Sequence, residues 1–424
     1  MRKRAWIGVA GAALVAGGLP AMFGLSPAGA GTVQGLQAHV NHILVLMQEN
    51  RSADTYLGQL NGDGQPAYEA EPNTGNPDPL NPPNVITPFH KTTLCETSDL
   101  NHSWNGTHQE FNGGAMDGFT AANDINSDNA DPADPSGART MGYYNRTDLP
   151  FYYRLYNTFA TADRYFSSVL SQTFPNRFYL LAGTSFGHIR NDAPPPGGFM
   201  QRSIFNNLGV AGISWKIYTD QFAFGLVFRY VQVHAQGHIF PISQYYTDVA
   251  NNTLPQVSFI DPLFTGDKNV ENDEHPPSNV QVGQRFVYKI VNHLTKSPSW
   301  HDSVLFVTYD EHGGFYDHVA PPAAVPPDGI APMLQPGDTV AGFDNLGIRV
   351  PTVVVSPFSK PHYVSHTVYD HTSILRFIEK RFNLPTLTAR DAAANDMLDM
   401  FLFNKAPFPY APNFAPQPPV TPCP

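Results

Sequence analysis

The feature that most restricts what this chain can fold into is a set of short apolar runs, each followed by polar, chemistry-bearing residues. Ile43-Leu44-Val45-Leu46-Met47, Val304-Leu305-Phe306-Val307 and Val350-Pro351-Thr352-Val353-Val354-Val355 lack the alternation of a strand with one wet face. Such runs read as strands buried on both faces, the parallel strands of an α/β sheet. Gln256-Val257-Ser258-Phe259-Ile260 is a weaker fourth candidate. Between them lie helical patterns over Val282 to Leu294 and Thr372 to Phe382, the second with Asp370 or Thr372 available as its N-cap. Strands alternating with helices predict an α/β fold with helices on both faces of a mainly parallel sheet.

At 424 residues and 42% hydrophobic, the chain can bury a large core in one α/β domain or two ordinary ones. With neither an internal repeat nor a clear linker in the sequence, one domain from about residue 35 to 404 is the simplest division. The 40 Pro and 34 Gly imply long ordered loops. Residues 59–90 and 121–139 read as such loops, and residues 405–424 as an extended Pro-rich tail. A net charge of -11 argues against nucleic acid as a partner. It leaves a phosphate ester possible if the positive charge is local, from a metal, His or a few Arg.

The chain begins Met-Arg-Lys-Arg, continues apolar from Ala5 to about Leu25, and reaches small residues at Ala28 and Ala30. These are the parts of a secretory signal over residues 1–30, cleaved after Ala30. The alternative, an uncleaved anchor, suits this stretch poorly because it is rich in Gly and Ala and broken by Pro20. Cys95 and Cys423 are the only cysteines. In an exported protein they can form a disulfide tying tail to body, or they are two separate thiols.

In open α/β sheets, ligands bind beyond the carboxyl ends of the strands. There the sequence places Gln48-Glu49-Asn50-Arg51-Ser52, Thr308-Tyr309-Asp310-Glu311-His312-Gly313-Gly314 with Asp317-His318, and Ser356-Pro357-Phe358. His366 and Tyr369-Asp370-His371-Thr372 follow. Carboxylates, an amide oxygen and imidazoles at several strand ends suit a divalent cation. A solvated acidic loop is the alternative for either cluster alone; two clusters at two strand ends point to one shared site. His312 sits beside the expected ligands without being counted among them.

Thr173, in Ser171-Gln172-Thr173-Phe174-Pro175-Asn176-Arg177, stands where a loop opens a helix. Backbone N–H groups at such a start favour a phosphate. From these residues alone, an ordinary Thr cap is the better reading. Arg177 can pair with phosphate oxygens or with a structural carboxylate. Of the 16 His, His102, His108 and His275 lie in polar, turn-rich settings suited to a cleft, whereas His188, His234 and His238 read as structural.

Taken together, these motifs resemble bacterial phosphoesterases that include haemolytic and non-haemolytic phospholipases C and a group of acid phosphatases, within the alkaline-phosphatase-like superfamily. The resemblance runs from His42 to about Phe403. It is carried by Glu49-Asn50-Arg51-Ser52, Asn112-Gly113-Gly114 to Gly118, Met141-Gly142-Tyr143-Tyr144 and Thr173 to Arg177. Glu274-His275-Pro276-Pro277, Tyr309 to Gly314, Tyr369 to Leu375 and Arg390-Asp391 complete it. The resemblance implies a three-layer α/β/α sandwich of the alkaline-phosphatase type. It implies Glu49, Asn50, Thr173, Asp310 and Glu311 as ligands of a divalent ion (Ca, Zn, Mn or Fe) and Thr173 as a nucleophile that forms a phospho-enzyme. It makes His102, His275 and His238 candidates for binding phosphate or protonating the leaving group. Arg177 and His108 are then expected on the substrate, and His318, Asp370 and His371 behind the ligands. One departure is Ser171-Gln172, where many of the phospholipases carry a Gly-Pro pair.

The function implied is that of a secreted or envelope-bound phosphodiesterase of the phospholipase C type, a monomer touching membranes transiently. An acid phosphatase with the same centre is the nearest alternative. A secreted binding protein that keeps the fold without catalysis is an alternative of another class.

Overall fold

A computed structural model describes residues 31–424; the expected signal over residues 1–30 lies outside them. The central sheet has eight strands. They are β1 (His42–Gln48), β2 (Ala160–Ala162), β3 (Trp215–Tyr218), β4 (Ile239–Phe240), β5 (Val257–Ile260), β6 (Ser303–Tyr309), β7 (Thr352–Val355) and β8 (Val364–Ser365). Their order is β8-β2-β7-β6-β1-β5-β3-β4. β1 runs parallel between β6 and β5, so its apolar run is covered on both faces and all of Ile43–Gln48 is buried. Each buried Val, Leu or Ile contributes roughly 1.5–3 kcal/mol, which makes β1 and β6 the anchor of the sheet.

Four helices matter for the site: α1 (Trp104–Phe111), α2 (Thr173–Ala182), α3 (Val280–Thr295) and α4 (His371–Phe382). α4 packs on α2, and α3 packs with the helices Ile242–Asn251 and Pro150–Thr158. The result is an α/β/α sandwich around a mainly parallel sheet. The N-cap of α4 is Asp370, in a capping box with Ser373.

The structure corrects one strand-end expectation. β7 is antiparallel to both its neighbours, so its carboxyl end points the other way. Ser356 Oγ donates to the carbonyl of Ser303, at the start of β6. Ser356-Pro357-Phe358 therefore lie at the opposite edge of the sheet from the site. β7 also begins at Thr352 rather than Val350, because Pro351 has no N–H to give the ladder.

Residues 59–90 and 121–139 are turns and loops with short strand pairs and single helical turns. The second loop is pinned by Asp131, which accepts from Thr97, Ser98 and the Ala133 N–H. The Pro-rich tail has no helix or strand. Phe414 nevertheless packs on Phe151 inside the main core, and Cys423 is disulfide-bonded to Cys95. No helix among the described residues is long and apolar enough to cross a membrane.

Candidate active site

The parallel register sets Gln48 opposite Tyr309, so Glu49-Asn50 and Asp310-Glu311 leave adjacent strand ends together. Arg177, projecting from α2, holds the two segments in place. Its Nε–H donates to Asp310 Oδ2 (3.1 Å), and Nη2 lies 3.2 Å from Glu49 Oε1 and donates to the carbonyl of Met47 (3.1 Å). Arg177 is buried and its guanidinium is committed to these partners. This corrects the expectation of a substrate contact: burial makes a carboxylate the better partner for its charge.

The turn after Asp310 explains how the second pair is aimed. Asp310 Oδ1 accepts from the Glu311 N–H, and Glu311 Oε2 from the Gly313 N–H. Gly313 has φ +66°, and a Cβ there would stand 2.6 Å from the Asn50 Cβ and carbonyl oxygen. Only glycine lets this turn lie against Asn50. His312 bridges Glu110 Oε2 (2.7 Å) and Glu311 Oε2 (3.3 Å). Against the cost of burial, the two carboxylates raise its pKa to about 9, so it is a cation that steers Glu311. Glu311 Oε1 is left without a partner, 3.8 Å from His102 Nε2.

Thr173 is not the cap that its sequence context suggested. It is the first residue of α2; the N-cap is Gln172, whose side chain makes no capping bond. Asn191 Oδ1 instead accepts from the Phe174 N–H, and Gln172 Oε1 accepts from the Asn191 N–H. Asn176 braces the loop, accepting from the N–H groups of Ser168 and Val169 and donating to the carbonyls of Val169, Ser171 and Gln172. The Thr173 hydroxyl is thereby free for other work. Thr173, Glu49 and His275 line one cavity of about 490 Å³.

His102 and His275 meet edge to face, with ring centroids 5.6 Å apart. Asp99 lies between them, 3.7 Å from His102 Nδ1 and 3.9 Å from His275 Nε2. Burial opposes charge on His102, yet Glu311 and Asp99 hold its pKa above the ordinary value. His275 is oriented by its Nδ1, 2.6 Å from the Pro276 carbonyl, and its N–H donates to Asp273 Oδ1.

The remaining expected residues divide. His371 stands directly behind the site: its Nε2 lies 2.6 Å from the Asp310 carbonyl and its Nδ1 3.2 Å from the Tyr165 hydroxyl. Burial lowers its pKa to about 4, so it is neutral, and the carbonyl partner assigns the proton to Nε2. Asp370 accepts from Ser168 Oγ and so ties α4 to the loop before Thr173. His318 is further out, 2.7 Å from Asp54 in a buried network where Arg349 donates to Asp54 and Asp317. Asp54, Asp317 and His318 are close enough to hold a cation, and Arg349 donates to one oxygen of each carboxylate there. His108 and His238 are corrections. His108 lies on the Trp104 ring with its Nδ1 at the Trp104 carbonyl. His238 stacks on Trp215, at the amino end of β3 and away from the site. Polar neighbours in sequence said nothing about which way either ring turns.

Sequence reasoning passed over Asp99, Glu110, Asp273, Asn176 and Asn191. Asp99 was legible as the acid three residues before His102. Glu110 was not, since its partner His312 lies 202 residues away.

The donor set fits a divalent cation. Both side-chain atoms of the fully buried Asn50 and Glu311 Oε1 lack partners among the described residues. Each such orphan costs about 1–3 kcal/mol, and of the three the two oxygens, Asn50 Oδ1 and Glu311 Oε1, are the ones a cation would satisfy. Burial raises Glu49 to about 7 and Asp310 well above the carboxylate range; Arg177 opposes both shifts and Glu311 adds to them. Oxygen-rich, with carboxyls crowded together out of water, the set suits a hard or borderline ion.

Residues 40–385 match the model of the Phosphoesterase family. The chain is 35% identical to "Phospholipase C B" of Mycobacterium tuberculosis, over 97% of this chain and 88% of that protein. It is 33% identical to "Non-specific phospholipase C1" of Arabidopsis thaliana, over 88% of this chain and 73% of that protein. It is 32% identical to "Non-hemolytic phospholipase C" of Burkholderia pseudomallei, over 86% and 59%. Among solved structures, an alkaline phosphatase superfamily protein of Vibrio parahaemolyticus aligns over 89% of this chain and 75% of its own, with 8% identity and a TM-score of 0.43.

Proposed function

Since this chain belongs to the Phosphoesterase family and is a phosphoric ester hydrolase, we propose that it is a secreted phospholipase C-type phosphodiesterase working through a phosphothreonine. The observation that carries the reading is the uncapped Thr173, sharing one cavity with Glu49 and His275. Asp310, joined to Glu49 through Arg177, completes the group with Glu311 and Asn50. These four and Thr173 would hold the divalent ion, which when bound supplies positive charge to the phosphoryl oxygens and acidifies the hydroxyl.

Thr173 Oγ1 attacks phosphorus; the new Oγ1–P bond forms as the bond from phosphorus to the alcohol oxygen breaks. The hydroxyl proton leaves to solvent, and His275 donates a proton to the departing alcohol. In the second step, water attacks the phosphothreonine: the new O–P bond forms as the Oγ1–P bond breaks, His275 takes a proton from that water, and Thr173 Oγ1 regains its proton from solvent. His102, whose protonated form is favoured by Glu311 and Asp99 against the cost of burial, faces the oxygens in flight.

A diester suits the cavity better than a monoester. A monoester brings an additional negative charge, yet no Lys or Arg lines this cavity among the described residues, and Arg177 is committed elsewhere. The relatives named phospholipase C support a phospholipid as the diester. Cys95–Cys423 fits an oxidising compartment, which supports export. Comparing nitrophenyl phosphocholine with nitrophenyl phosphate tests the reading: hydrolysis of the diester is expected, and activity on the monoester alone would overturn it.

A further inference from the structure

Three side chains able to ligate a metal meet at the cavity of Thr173, apart from the ligand set of the strand ends. Asp99 and His102 come from the segment before α1, and His275 from the segment before α3. One ligand atom from each lies within 4.8 Å of the other two. Asp99 Oδ1 is 3.7 Å from His102 Nδ1, and Asp99 Oδ2 is 3.9 Å from His275 Nε2. Ligand atoms about 2.1 Å from a tetrahedral ion stand roughly 3.4 Å apart, so the carboxylate has to close on each ring by about half an ångström or less.

Both rings are turned as metal ligands are. His275 Nδ1 lies 2.6 Å from the Pro276 carbonyl, which can only accept, so the neutral ring carries its proton there and bares Nε2 toward Asp99. His102 is turned the other way: Nε2 faces Glu311 Oε1 at 3.8 Å, while Nδ1 has no hydrogen-bond partner although the residue is only 7% exposed. An imidazole with one nitrogen on a metal commonly directs the other at a carboxylate or carbonyl. Among the described residues no Lys or Arg pairs with the Asp99 carboxylate, whereas the cluster of Asp54, Asp317 and His318 has Arg349 against it. Two imidazoles and one carboxylate suit zinc, unlike the oxygen-rich set at the strand ends.

We infer that Asp99, His102 and His275 form a second, inhibitory zinc site, in which the ion occupies the nitrogen that His275 would use on the leaving alcohol. The site rests on the geometry of the three side chains; the inhibition rests in addition on the proposed role of His275. Zinc displaces to solvent any proton on His102 Nδ1 and His275 Nε2, so the ion and the proton compete for the same lone pairs. While zinc is bound, His275 Nε2 has no proton to give. Proton transfer by a positioned side chain contributes about a hundredfold to ten-thousandfold, so saturating zinc should lower kcat by about a hundredfold or more.

The test adds zinc chloride to the purified protein with whatever metal it already carries. Crystals of the wild type soaked in zinc and measured on both sides of the zinc absorption edge should show anomalous density among Asp99, His102 and His275. In solution, equilibrium dialysis should find one zinc equivalent beyond the metal already present, and activity should fall as that equivalent binds. Asp99→Ala should weaken both the binding and the inhibition by at least about tenfold, each read against the variant's own zinc-free state. No zinc density at the three residues overturns the site, even where zinc is found at Glu49 and Asp310. An Asp99→Ala variant that binds zinc and is inhibited like the wild type overturns it as well. Zinc seated at the three residues with activity intact would overturn the inhibition, and with it His275 as the proton donor, while the binding site stands.

Discussion

Thr173 is the residue on which the mechanism depends most. A Thr at a helix start is ordinarily a cap, and its sequence context offers nothing more. The structure gives the capping work to Asn191 and the bracing to Asn176, which separates the hydroxyl from any structural duty. Thr173→Ala should therefore lower kcat by at least about a thousandfold with an unchanged melting temperature. A large fall in melting temperature would return Thr173 to a structural role. Glu274 is a residue of the opposite kind, wholly structural in its contacts and next to His275. Tyr56 and Tyr309 donate to its Oε2, at 2.6 and 2.8 Å, and Tyr152 donates to Oε1. Burial nonetheless raises its pKa to about 7, against the pull of the three hydroxyls. A carboxyl raised on folding stabilises the protein at low pH, and that contribution is lost as pH climbs from the unfolded value toward 7. Glu274→Gln removes the titration. In urea unfolding, the stability of this variant relative to wild type should improve by about 1–3 kcal/mol between about pH 5 and pH 8. A difference that is constant with pH would mean that Glu274 does not titrate in this range.

Among the elements, the turn Asp310–Gly314 shows most clearly how backbone conformation creates the site. Gly313→Ala places a methyl group against Asn50 at a φ of +66°, at a cost of about 1–3 kcal/mol. It should also move Asn50 out of the ligand set. The expected outcome is loss of bound divalent metal, by elemental analysis of the purified protein, together with loss of activity. Chelation of wild type should reproduce the activity loss, and readdition of metal should reverse it. A Gly313→Ala protein with full metal content would disconnect the turn from the site. What could be read from sequence at this scale follows physical lines. β1 and β6 were legible because they are buried on both faces and unbroken. β2, β3, β4 and β8 were not, since Ala160-Thr161-Ala162 or Trp215-Lys216-Ile217-Tyr218 carries no run long enough to show a period. The reversal of β7 was also hidden: an apolar run has no direction, and Ser356 consequently was expected at the wrong end of the sheet. Ligands and His partners were legible where they follow a strand directly. They were illegible where, like Glu110 or Asn191, they arrive from distant loops.

At the scale of the whole molecule, the long loops and the tail have to be held to the sandwich without regular structure of their own. Asn279, the N-cap of α3, donates to the Thr421 carbonyl, Arg285 to that of Pro418, and Phe414 enters the core between Phe151 and Phe159. The Cys95–Cys423 disulfide closes this arrangement across 328 residues of chain. Cross-linking so long a segment restricts the unfolded chain strongly, and losing such a bond costs about 2–5 kcal/mol. Cys95 also begins the segment that leads through Glu96 to Asp99 and His102. Glu96 is paired with the buried Lys91 at 2.6 Å, and the Leu94 carbonyl accepts from the Val280 N–H at the start of α3. These bonds fix the approach to His102 independently of the sulfurs. Replacing both cysteines by Ser should accordingly lower the melting temperature by several degrees while leaving kcat/KM near that of wild type at about 25 °C. The reduced wild-type protein should melt with the double variant. If activity falls in parallel with stability, the tail helps to hold Asp99 and His102, and the bonds from Glu96 and Leu94 are insufficient without it.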